Sequence, residues 1–278
     1  MTSPRQLLRA AADRLRAAGV ASPEVDAELL LAHCLGMERV RLAALTQLPT
    51  PAIAAFEATV ARREQREPAQ YIIGQAPFRH VAVAVGPGVF IPRPETELLV
   101  DAVLARLHAS PAPIVIDLCS GSGALAVAVA DEVPGAQVWA VENSGPALAW
   151  LRRNTAGTGI RVVDADVRDG GLLADLAGRA DAVLSNPPYV PASTDVSPEV
   201  RADPAGAVFA GADGLALVPA VIDRAAALLR RGGMLALEHD DTQGAAVPGL
   251  LQSDGRWLDI TDHDDLAGRP RYSVAIRG

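Results

Sequence analysis

The fold of this 278-residue chain is decided by one stretch, Ile114-Val115-Ile116-Asp117-Leu118-Cys119-Ser120-Gly121-Ser122-Gly123. It begins as an apolar run of strand length and ends in a glycine-containing turn, which an alanine-rich helical segment follows. Gly121 and Gly123 allow the backbone to approach a ligand where a Cβ atom would collide with it. Because Ala126 stands where a dinucleotide fingerprint has its third glycine, the turn by itself does not identify that ligand.

Strands and helices alternate downstream of this turn. Further apolar runs of strand length are found at 137–141, 161–163, 181–185 and 234–238. This alternation predicts an α/β fold in which helices cover both faces of a parallel sheet. The tail predicts a closing antiparallel hairpin, because two more apolar runs flank the break Gly268-Arg269-Pro270.

The chain before the α/β region predicts two smaller parts. Residues 1–70 carry three hydroxyl-proline pairs typical of helix starts, Ser3-Pro4, Ser22-Pro23 and Thr50-Pro51, and predict a helical bundle. We interpret the bundle as a substrate-recognition domain, with a stabilising cap as the alternative. Residues 71–94 predict a β-hairpin linker, in which alternating valines lead through Gly86-Pro87-Gly88 into Val89-Phe90-Ile91. Residues 95–278 form the remaining domain.

Composition restricts the class of partner. The net charge of −8 disfavours duplex nucleic acid as the main partner, because phosphate contacts need a basic surface. The interrupted N-terminus does not resemble a signal peptide, and no apolar run reaches the length of a membrane span. Cys34 and Cys119 lack CxxC spacing and predict reduced thiols. We therefore expect a soluble, cytoplasmic monomer that binds neither DNA nor a membrane.

Acidic residues follow the neighbouring strands at the ligand-binding edge of the predicted sheet. Glu142 stands at the tip of the second strand, where a carboxylate can accept both hydroxyls of a ribose; the alternative is an ordinary surface glutamate. Asp166 follows the third strand and can accept the exocyclic amine of an adenine, while Val167 packs on the ring. The scattered histidines and the absence of lysine predict neither a metal site nor a phosphate-binding loop.

The fourth strand ends in Asn186-Pro187-Pro188-Tyr189. The two prolines stop the strand and fix the backbone, which holds the Asn186 side chain and nearby carbonyls in place. An asparagine oxygen and a backbone carbonyl are both acceptors, so together they can grip the two N–H groups of a planar –NH2 while the Tyr189 ring lies on its face. This arrangement suits an amide or an aromatic amine whose nitrogen is being alkylated, although an ordinary proline-rich strand exit has the same sequence.

Eight segments together resemble the HemK (PrmC) family of protein-(glutamine-N5) methyltransferases. They are Glu67–Gly74, Ile91–Glu97, Asp117–Gly123, Asn186–Tyr189, Gly211–Leu215, Gly232-Gly233, Glu238-His239 and Asp265–Arg271. The Asn-Pro-Pro-Tyr element also occurs in adenine-N6 DNA methyltransferases, whereas its combination with Ile-Pro-Arg-Pro-Glu-Thr-Glu is specific to this family. The resemblance spans nearly the whole chain.

The resemblance implies a Rossmann-like class I methyltransferase domain with a seven-stranded, mostly parallel sheet. The implied reaction moves a methyl group from S-adenosylmethionine to the Gly-Gly-Gln glutamine of class I peptide chain release factors. The implied cofactor-binding residues are Asp117, Cys119, Ser120, Gly121, Ser122, Gly123, Glu142, Asp166, Val167 and Asn186. The implied substrate-binding residues are Asn186, Pro187, Pro188, Tyr189, Arg93, Glu95 and Thr96, of which Asn186, Pro187 and Tyr189 are the implied catalytic set.

Two positions depart from the family pattern. Cys119 replaces a glycine, and Val167 is smaller than the aromatic residue often found there, so we expect altered cofactor affinity at most. Two other functions stay open at this point. One is an adenine-N6 nucleic acid methyltransferase that uses the same clamp, and the other is a non-catalytic module that binds the cofactor or a release factor.

Overall fold

The chain divides into two units in the computed structural model, which describes residues 3–108 and 110–278. One unit comprises the chain up to Gln75 together with the segment Val196–Ala202, and the other comprises Ala76–Asp195 and Asp203–Gly278. The functional division predicted at residues 70 and 94 stays a prediction, and Met1 and Thr2 of its first part lie outside the described residues.

Helices and strands have the following bounds. The helices are α1 Pro4–Ala17, α2 Pro23–Leu35, α3 Thr50–Glu64, α4 Ala69–Ile73, α5 Glu97–Leu107, α6 Ala124–Glu132, α7 Gly145–Asn154, α8 Pro198–Ala202, α9 Ala205–Val208, α10 Val218–Leu228 and α11 Ala246–Asp254. The strands are β1 Gln75–Phe78, β2 Val81–Ala84, β3 Ile114–Leu118, β4 Gln137–Glu142, β5 Arg161–Asp164, β6 Ala180–Ser185, β7 Leu229–Glu238, β8 Trp257–Asp264 and β9 Pro270–Arg277. No described helix combines the length and the apolar character that crossing a bilayer requires.

The helical unit has a core of its own, in which the side chains of Leu15, Leu30 and Phe56 are fully buried. Of the three predicted hydroxyl caps, only Ser3 caps a helix through its side chain, in a capping box with Gln6. The prediction for Thr50 was wrong by one position, because Pro49 has the extended backbone of the N-cap and Thr50 is already helical.

The segment Val196–Ala202 is held to the helical unit by ion pairs. The Glu199 carboxylate accepts hydrogen bonds from Arg63 at 2.7 Å and from Arg66 at 2.6 Å. Arg63 is 4% exposed and also binds Asp26 at 2.7 Å, so its charge is balanced by two carboxylates. A buried guanidinium with two partners of this kind is a strong local anchor.

The predicted hairpin exists but was placed wrongly. Its arms are β1 and β2, and Arg79 turns the chain between them with a φ of +51°. The stretch Val89-Phe90-Ile91 forms no strand. Gly86 is not in a hairpin turn and instead packs against Trp150, because a Cβ atom at this position would lie 2.6 Å from the Trp150 ring.

The sheet confirms the predicted seven-stranded, mostly parallel architecture. Its order is β5-β4-β3-β6-β7-β9-β8, with the first five strands parallel and β9 antiparallel to both of its neighbours. Val115, Ile116 and Leu118 of β3 are fully buried at its centre. Because β3 pairs with β4 and β6 in register, the turns that follow these three strands meet at one edge.

Candidate active site

A cavity of about 620 Å³ opens at the carboxyl ends of β3, β4, β5 and β6. Open α/β sheets bind ligands at this edge. The wall contains most of the residues predicted to bind a cofactor. These wall residues are Cys119, Ser120, Gly121, Ser122, Glu142, Asp166, Val167 and Asn186, and Thr96 and Pro188 are also on the wall.

The turn after β3 has the backbone conformation that its glycines predict. The φ angles are +56° at Gly121 and +84° at Gly123, in the left-handed region. A Cβ atom on Gly123 would lie 2.6 Å from Leu151 Cδ1, so this glycine is required for packing, whereas nothing lies within 4 Å of such an atom on Gly121. Gly121 therefore leaves its side of the turn open for a ligand. Cys119 also has a positive φ, +63°, which explains the glycine of the family pattern.

Asp117 lies beneath this turn, away from the cavity wall. Its side chain accepts a hydrogen bond from the Ala126 N–H at 3.2 Å and is 1% exposed. Burial raises the pKa of Asp117 to about 7. Asp117 therefore supports the turn from below, and its predicted contact with the cofactor stays a prediction.

Glu142 is fixed at the tip of β4 by three backbone N–H groups. Its Oε2 accepts from Gly121 at 2.8 Å, and its Oε1 accepts from Asn143 at 3.0 Å and from Ser144 at 2.8 Å. A carboxylate offers about four acceptor positions, so one remains for a hydroxyl on the cavity side. The residue fits the ribose of a nucleoside cofactor.

Asp166 is already engaged by neighbouring groups. Its Oδ1 accepts from the Arg168 backbone and Nε, and its Oδ2 accepts from Arg168 at 2.5 Å and from Asn143 at 3.1 Å. The Arg168 side chain lowers the pKa of Asp166 well below its ordinary value. An adenine amine can bind this carboxylate only if one of these hydrogen bonds breaks. Val167 is 5% exposed and lines the wall beside it, as a residue packed on an adenine ring must.

Asn186 is held in one orientation by a residue from a distant part of the chain. Its Nδ2 donates to the Thr96 hydroxyl at 2.9 Å. The side-chain amide therefore uses its donor end inside the protein and leaves Oδ1 as a free acceptor. No described residue donates to the Pro187 carbonyl, but Pro187 is not on the cavity wall, so its predicted contact with the substrate stays a prediction.

Tyr189 is anchored behind the cavity. Its hydroxyl donates to Glu238 Oε1 at 3.0 Å, and the residue is not on the cavity wall. Burial, followed by the charge of Glu238, raises the pKa of Tyr189 above its ordinary value, which leaves it unsuited to act as a base. Its predicted packing on the substrate amide stays a prediction.

Arg93 and Glu95, predicted to bind substrate, do not lie on the cavity wall. Arg93 forms an ion pair with the buried Asp203, and its guanidinium lies 4.9 Å from the centre of the Phe90 ring. Asp203 also accepts a hydrogen bond from the Ile91 N–H at 3.2 Å. Arg93 therefore stabilises the loop that presents Phe90 to the cavity, and its predicted substrate contact stays a prediction.

Three residues with structural importance for the site were not predicted. Gln243 Nε2 donates to the Tyr189 carbonyl at 3.0 Å and to the Asp213 carbonyl at 2.9 Å, which ties two loops together. A Cβ atom on Gly214 would overlap the Tyr189 carbonyl oxygen at 1.9 Å. The third residue is Glu238, which accepts a hydrogen bond from the Tyr189 hydroxyl at 3.0 Å. Gly214 and Glu238 lie in the segments Gly211–Leu215 and Glu238-His239 that resemble the family, so the sequence did contain a signal for these two residues.

Comparison with solved structures and family models defines the class of protein. The chain matches the fold of hMettl16, with a TM-score of 0.56 and 15% identity over 84% of each chain. It also matches a 16S rRNA N2 G1207 methyltransferase from Thermus thermophilus, with a TM-score of 0.52 and 21% identity over 73% of this chain and 50% of that one. Residues 81–202 match the model of the methyltransferase small domain, and residues 6–74 match that of the PrmC N-terminal domain. The protein is a class I S-adenosylmethionine-dependent methyltransferase.

Full-length relatives define the family. A release factor glutamine methyltransferase from Mycolicibacterium smegmatis is 47% identical over 278 residues, covering 100% of this chain and 99% of the relative. The chain belongs to the release factor glutamine methyltransferase family. A second protein of this name, from Streptomyces coelicolor, is 46% identical over 95% of both chains. A 4-amino-L-phenylalanine/4-methylamino-L-phenylalanine methyltransferase from Streptomyces pristinaespiralis is 41% identical over 91% of this chain and 88% of the relative.

Proposed function

We propose that this protein methylates the side-chain amide nitrogen (N5) of the Gly-Gly-Gln glutamine in class I peptide chain release factors, in the cytoplasm and as a monomer. The observation that carries the proposal is the orientation of Asn186. Its donor end is bound to Thr96, which leaves Oδ1 of this cavity-wall residue as a free acceptor, and the Pro187 carbonyl would supply a second acceptor. Such a pair matches the two N–H groups of a carboxamide.

The cavity fits S-adenosylmethionine by the chemistry of its wall. The turn Cys119–Gly123 would hold the methionine part, Glu142 the ribose, and Val167 the adenine, with Asp166 beside it. When bound, the cofactor would supply a methyl group on a positively charged sulfur, and the sulfur is the leaving group when the substrate nitrogen bonds to the methyl carbon. Burial raises the pKa of the Cys119 thiol, so the cysteine beside the cofactor stays protonated and does not compete for the methyl group.

The chain's own residues act on the substrate amide mainly by position. An amide nitrogen is a poor nucleophile because its lone pair is delocalised into the carbonyl. Acceptors at Asn186 and Pro187 would hold both N–H groups and direct the nitrogen lone pair at the methyl group. Proximity and orientation can contribute up to about 7–11 kcal/mol, and acceptor dipoles fixed before the reaction add to this. The displaced amide proton leaves to solvent, since Tyr189 is unsuited to be its acceptor.

A small aromatic amine is the second candidate substrate. The relative from Streptomyces pristinaespiralis, at 41% identity, is named for a 4-amino-L-phenylalanine substrate. A planar aromatic –NH2 presents the same two donors to the same acceptor pair. The glutamine substrate is favoured by the higher identity to the Mycolicibacterium smegmatis relative over the full chain. Duplex DNA is disfavoured by the net charge of −8.

One parallel assay tests the proposal. The protein is incubated with methyl-labelled cofactor and either a purified release factor, 4-amino-L-phenylalanine or duplex DNA, and the labelled release factor is mapped by peptide mass spectrometry. We expect one methyl group on the Gly-Gly-Gln glutamine and no label in DNA. Labelling of the aromatic amine with an unlabelled release factor would select the second candidate.

A further inference from the structure

Three segments that border the cavity are joined to one another by hydrogen bonds. They are residues 90–96, 186–192 and 203–211, and all three belong to the unit that contains the sheet. We call these three segments together the wall ring. Each of them places residues on the cavity wall, and these include Phe90, Pro92, Asn186, Pro188, Phe209 and Ala210.

The second and third segments of the wall ring are joined through their backbones. The Val190 N–H donates to the Val208 carbonyl at 2.9 Å, and the Val190 carbonyl accepts from the Ala210 N–H at 3.0 Å. The Ala192 N–H donates to the Gly211 carbonyl at 2.8 Å. The chain that leaves the clamp is therefore paired over several residues with the chain that follows α9.

Side chains form the other two junctions of the wall ring. Asn186 Nδ2 donates to the Thr96 hydroxyl at 2.9 Å, which joins the clamp to the first segment. Asp203 joins the first segment to the third, because its Oδ1 accepts from the Ile91 N–H at 3.2 Å and its Oδ2 pairs with the Arg93 guanidinium. The three junctions close the segments into a ring that includes the clamp.

We propose that Asp203 is a positioning residue for methyl transfer, which closes the wall ring and so fixes the Asn186 clamp relative to the rest of the cavity wall. The proposal rests on the proposed function, because it concerns the same clamp. Asp203 is not on the cavity wall, so it acts through Ile91 and Arg93 and not on the substrate. Methyl transfer depends on a clamp that keeps its position, since a small misplacement of reacting groups is costly.

The charge of Asp203 is needed at this junction. Its side chain is fully buried, and a buried carboxylate requires partners such as the Arg93 guanidinium. Asparagine would keep the shape of the side chain and an acceptor for the Ile91 N–H, but it would present an N–H group where Arg93 needs an acceptor. Asp203→Asn therefore opens the junction to Arg93 with little change in volume.

Amide hydrogen exchange of the full-length protein, without cofactor or substrate, tests whether the ring is closed. In Asp203→Asn, the N–H groups of Val190, Ala192 and Ala210 should exchange about tenfold faster than in wild type, because the local opening of these segments becomes easier. Asp203 contacts none of these three N–H groups, so a purely local role would not affect them. Faster exchange confined to residues 90–96 would overturn the proposal.

Kinetics with release factor as methyl acceptor test the consequence for the clamp. Asp203→Asn should lower kcat by up to about 100-fold, while the cofactor dissociation constant stays close to the wild-type value. The double variant Arg93→Met with Asp203→Asn should lose no more activity than the more damaging single variant, because both changes open the same junction. Losses that multiply would mean that Arg93 acts on the substrate by itself, and they would overturn the proposal, as would a wild-type kcat in Asp203→Asn.

Asp181→Asn is the matched control for a merely structural effect. Asp181 lies at the other end of β6 and has the same kinds of partner, because its carboxylate binds the Ile114 N–H and Arg230 at 2.8 Å each. Its loss should lower the melting temperature but change neither kcat nor exchange in the wall ring. An equal loss of kcat in Asp181→Asn and Asp203→Asn would overturn the proposal.

The exchange measurement also separates this proposal from the proposed function, because it needs no substrate. If wild-type protein labels 4-amino-L-phenylalanine and no release factor, the proposed function fails, and the kinetics of the same variants are compared on that amine. If Asp203→Asn does not fold, Arg93→Met opens the same junction from its other side, and the same exchange result is required of it.

Discussion

Cys119 has a backbone conformation that residues other than glycine seldom adopt. Its φ of +63° is in the left-handed region, where a β-branched side chain is a true outlier. Cys119→Val should therefore lower the free energy of unfolding by about 1–3 kcal/mol. Cys119→Gly should stay within about 1 kcal/mol of wild type, because relief of strain offsets the entropy that glycine loses on folding. Urea denaturation measures both, and a Val variant as stable as wild type would refute the strain.

Asn186 is the residue whose loss should be most damaging to turnover. Asn186→Ala removes the side-chain acceptor and should lower kcat by at least about 100-fold, as loss of one preorganised polar group does elsewhere. The cofactor dissociation constant, measured by calorimetry, should change little, since the turn Cys119–Gly123 and Glu142 form most of the proposed cofactor contacts. Near-normal turnover would reject the clamp.

Residue identities at the site were more predictable than their hydrogen-bond partners. Glu142 and Asn186 follow directly from their positions at strand ends, and both lie on the cavity wall. The bond between Asn186 and Thr96 joins residues 90 positions apart, and the bond between Tyr189 and Glu238 joins residues 49 apart. Local sequence patterns contain no information about such pairs, because the two residues come together only when the sheet has folded.

Among the secondary-structure elements, the hairpin shows why an alternating sequence pattern can predict a strand beyond the residue at which the strand ends. Alternating valines continue to Val85, and a glycine-proline-glycine sequence then resembles a turn. The actual turn at Arg79 is stabilised by groups from α5 and α6, where Glu97 accepts its N–H at 2.9 Å and Glu132 pairs with its guanidinium. The parallel strands were predictable because a continuous apolar run needs no distant partner to be recognised.

The segment Val196–Ala202 should depend on Glu199 for its place in the helical unit. Burial alone would raise the pKa of Glu199, but the hydrogen bonds from Arg66 and Arg63 outweigh it and lower the pKa to about 2. A depressed carboxyl pKa stabilises the folded state above the ordinary value, and this stability is lost as the pH falls toward 2. Glu199→Gln should cost about 1–3 kcal/mol at neutral pH.

The pH dependence provides the control for that variant. The difference in free energy of unfolding between wild type and Glu199→Gln should shrink as the pH is lowered from 5 toward 2. Its pH dependence should be that of about one carboxyl group becoming protonated. A difference that does not change with pH would mean that packing, and not the ion pairs with Arg63 and Arg66, stabilises the segment.

At the scale of the whole molecule, cofactor binding should be visible as thermal stability. A ligand at 100 times its dissociation constant stabilises the folded state by about 2.7 kcal/mol. Glu142→Gln removes the charge-assisted bond to the ribose, worth about 1.5–3 kcal/mol, and should abolish most of this shift. Asp164→Asn, an exposed carboxylate at the end of the next strand, is the control and should keep the full shift. An undiminished shift in Glu142→Gln would contradict its role.

Catalysis by the clamp depends on which of its atoms face the substrate nitrogen. A crystal structure of the protein with the demethylated cofactor and a release factor tests this directly. We predict that Asn186 Oδ1 and the Pro187 carbonyl oxygen each lie about 2.7–3.2 Å from the amide nitrogen of the Gly-Gly-Gln glutamine, with Asn186 Nδ2 still bound to Thr96. A glutamine amide held elsewhere, or Nδ2 turned toward it, would show that Asn186 does not hold the substrate through its oxygen.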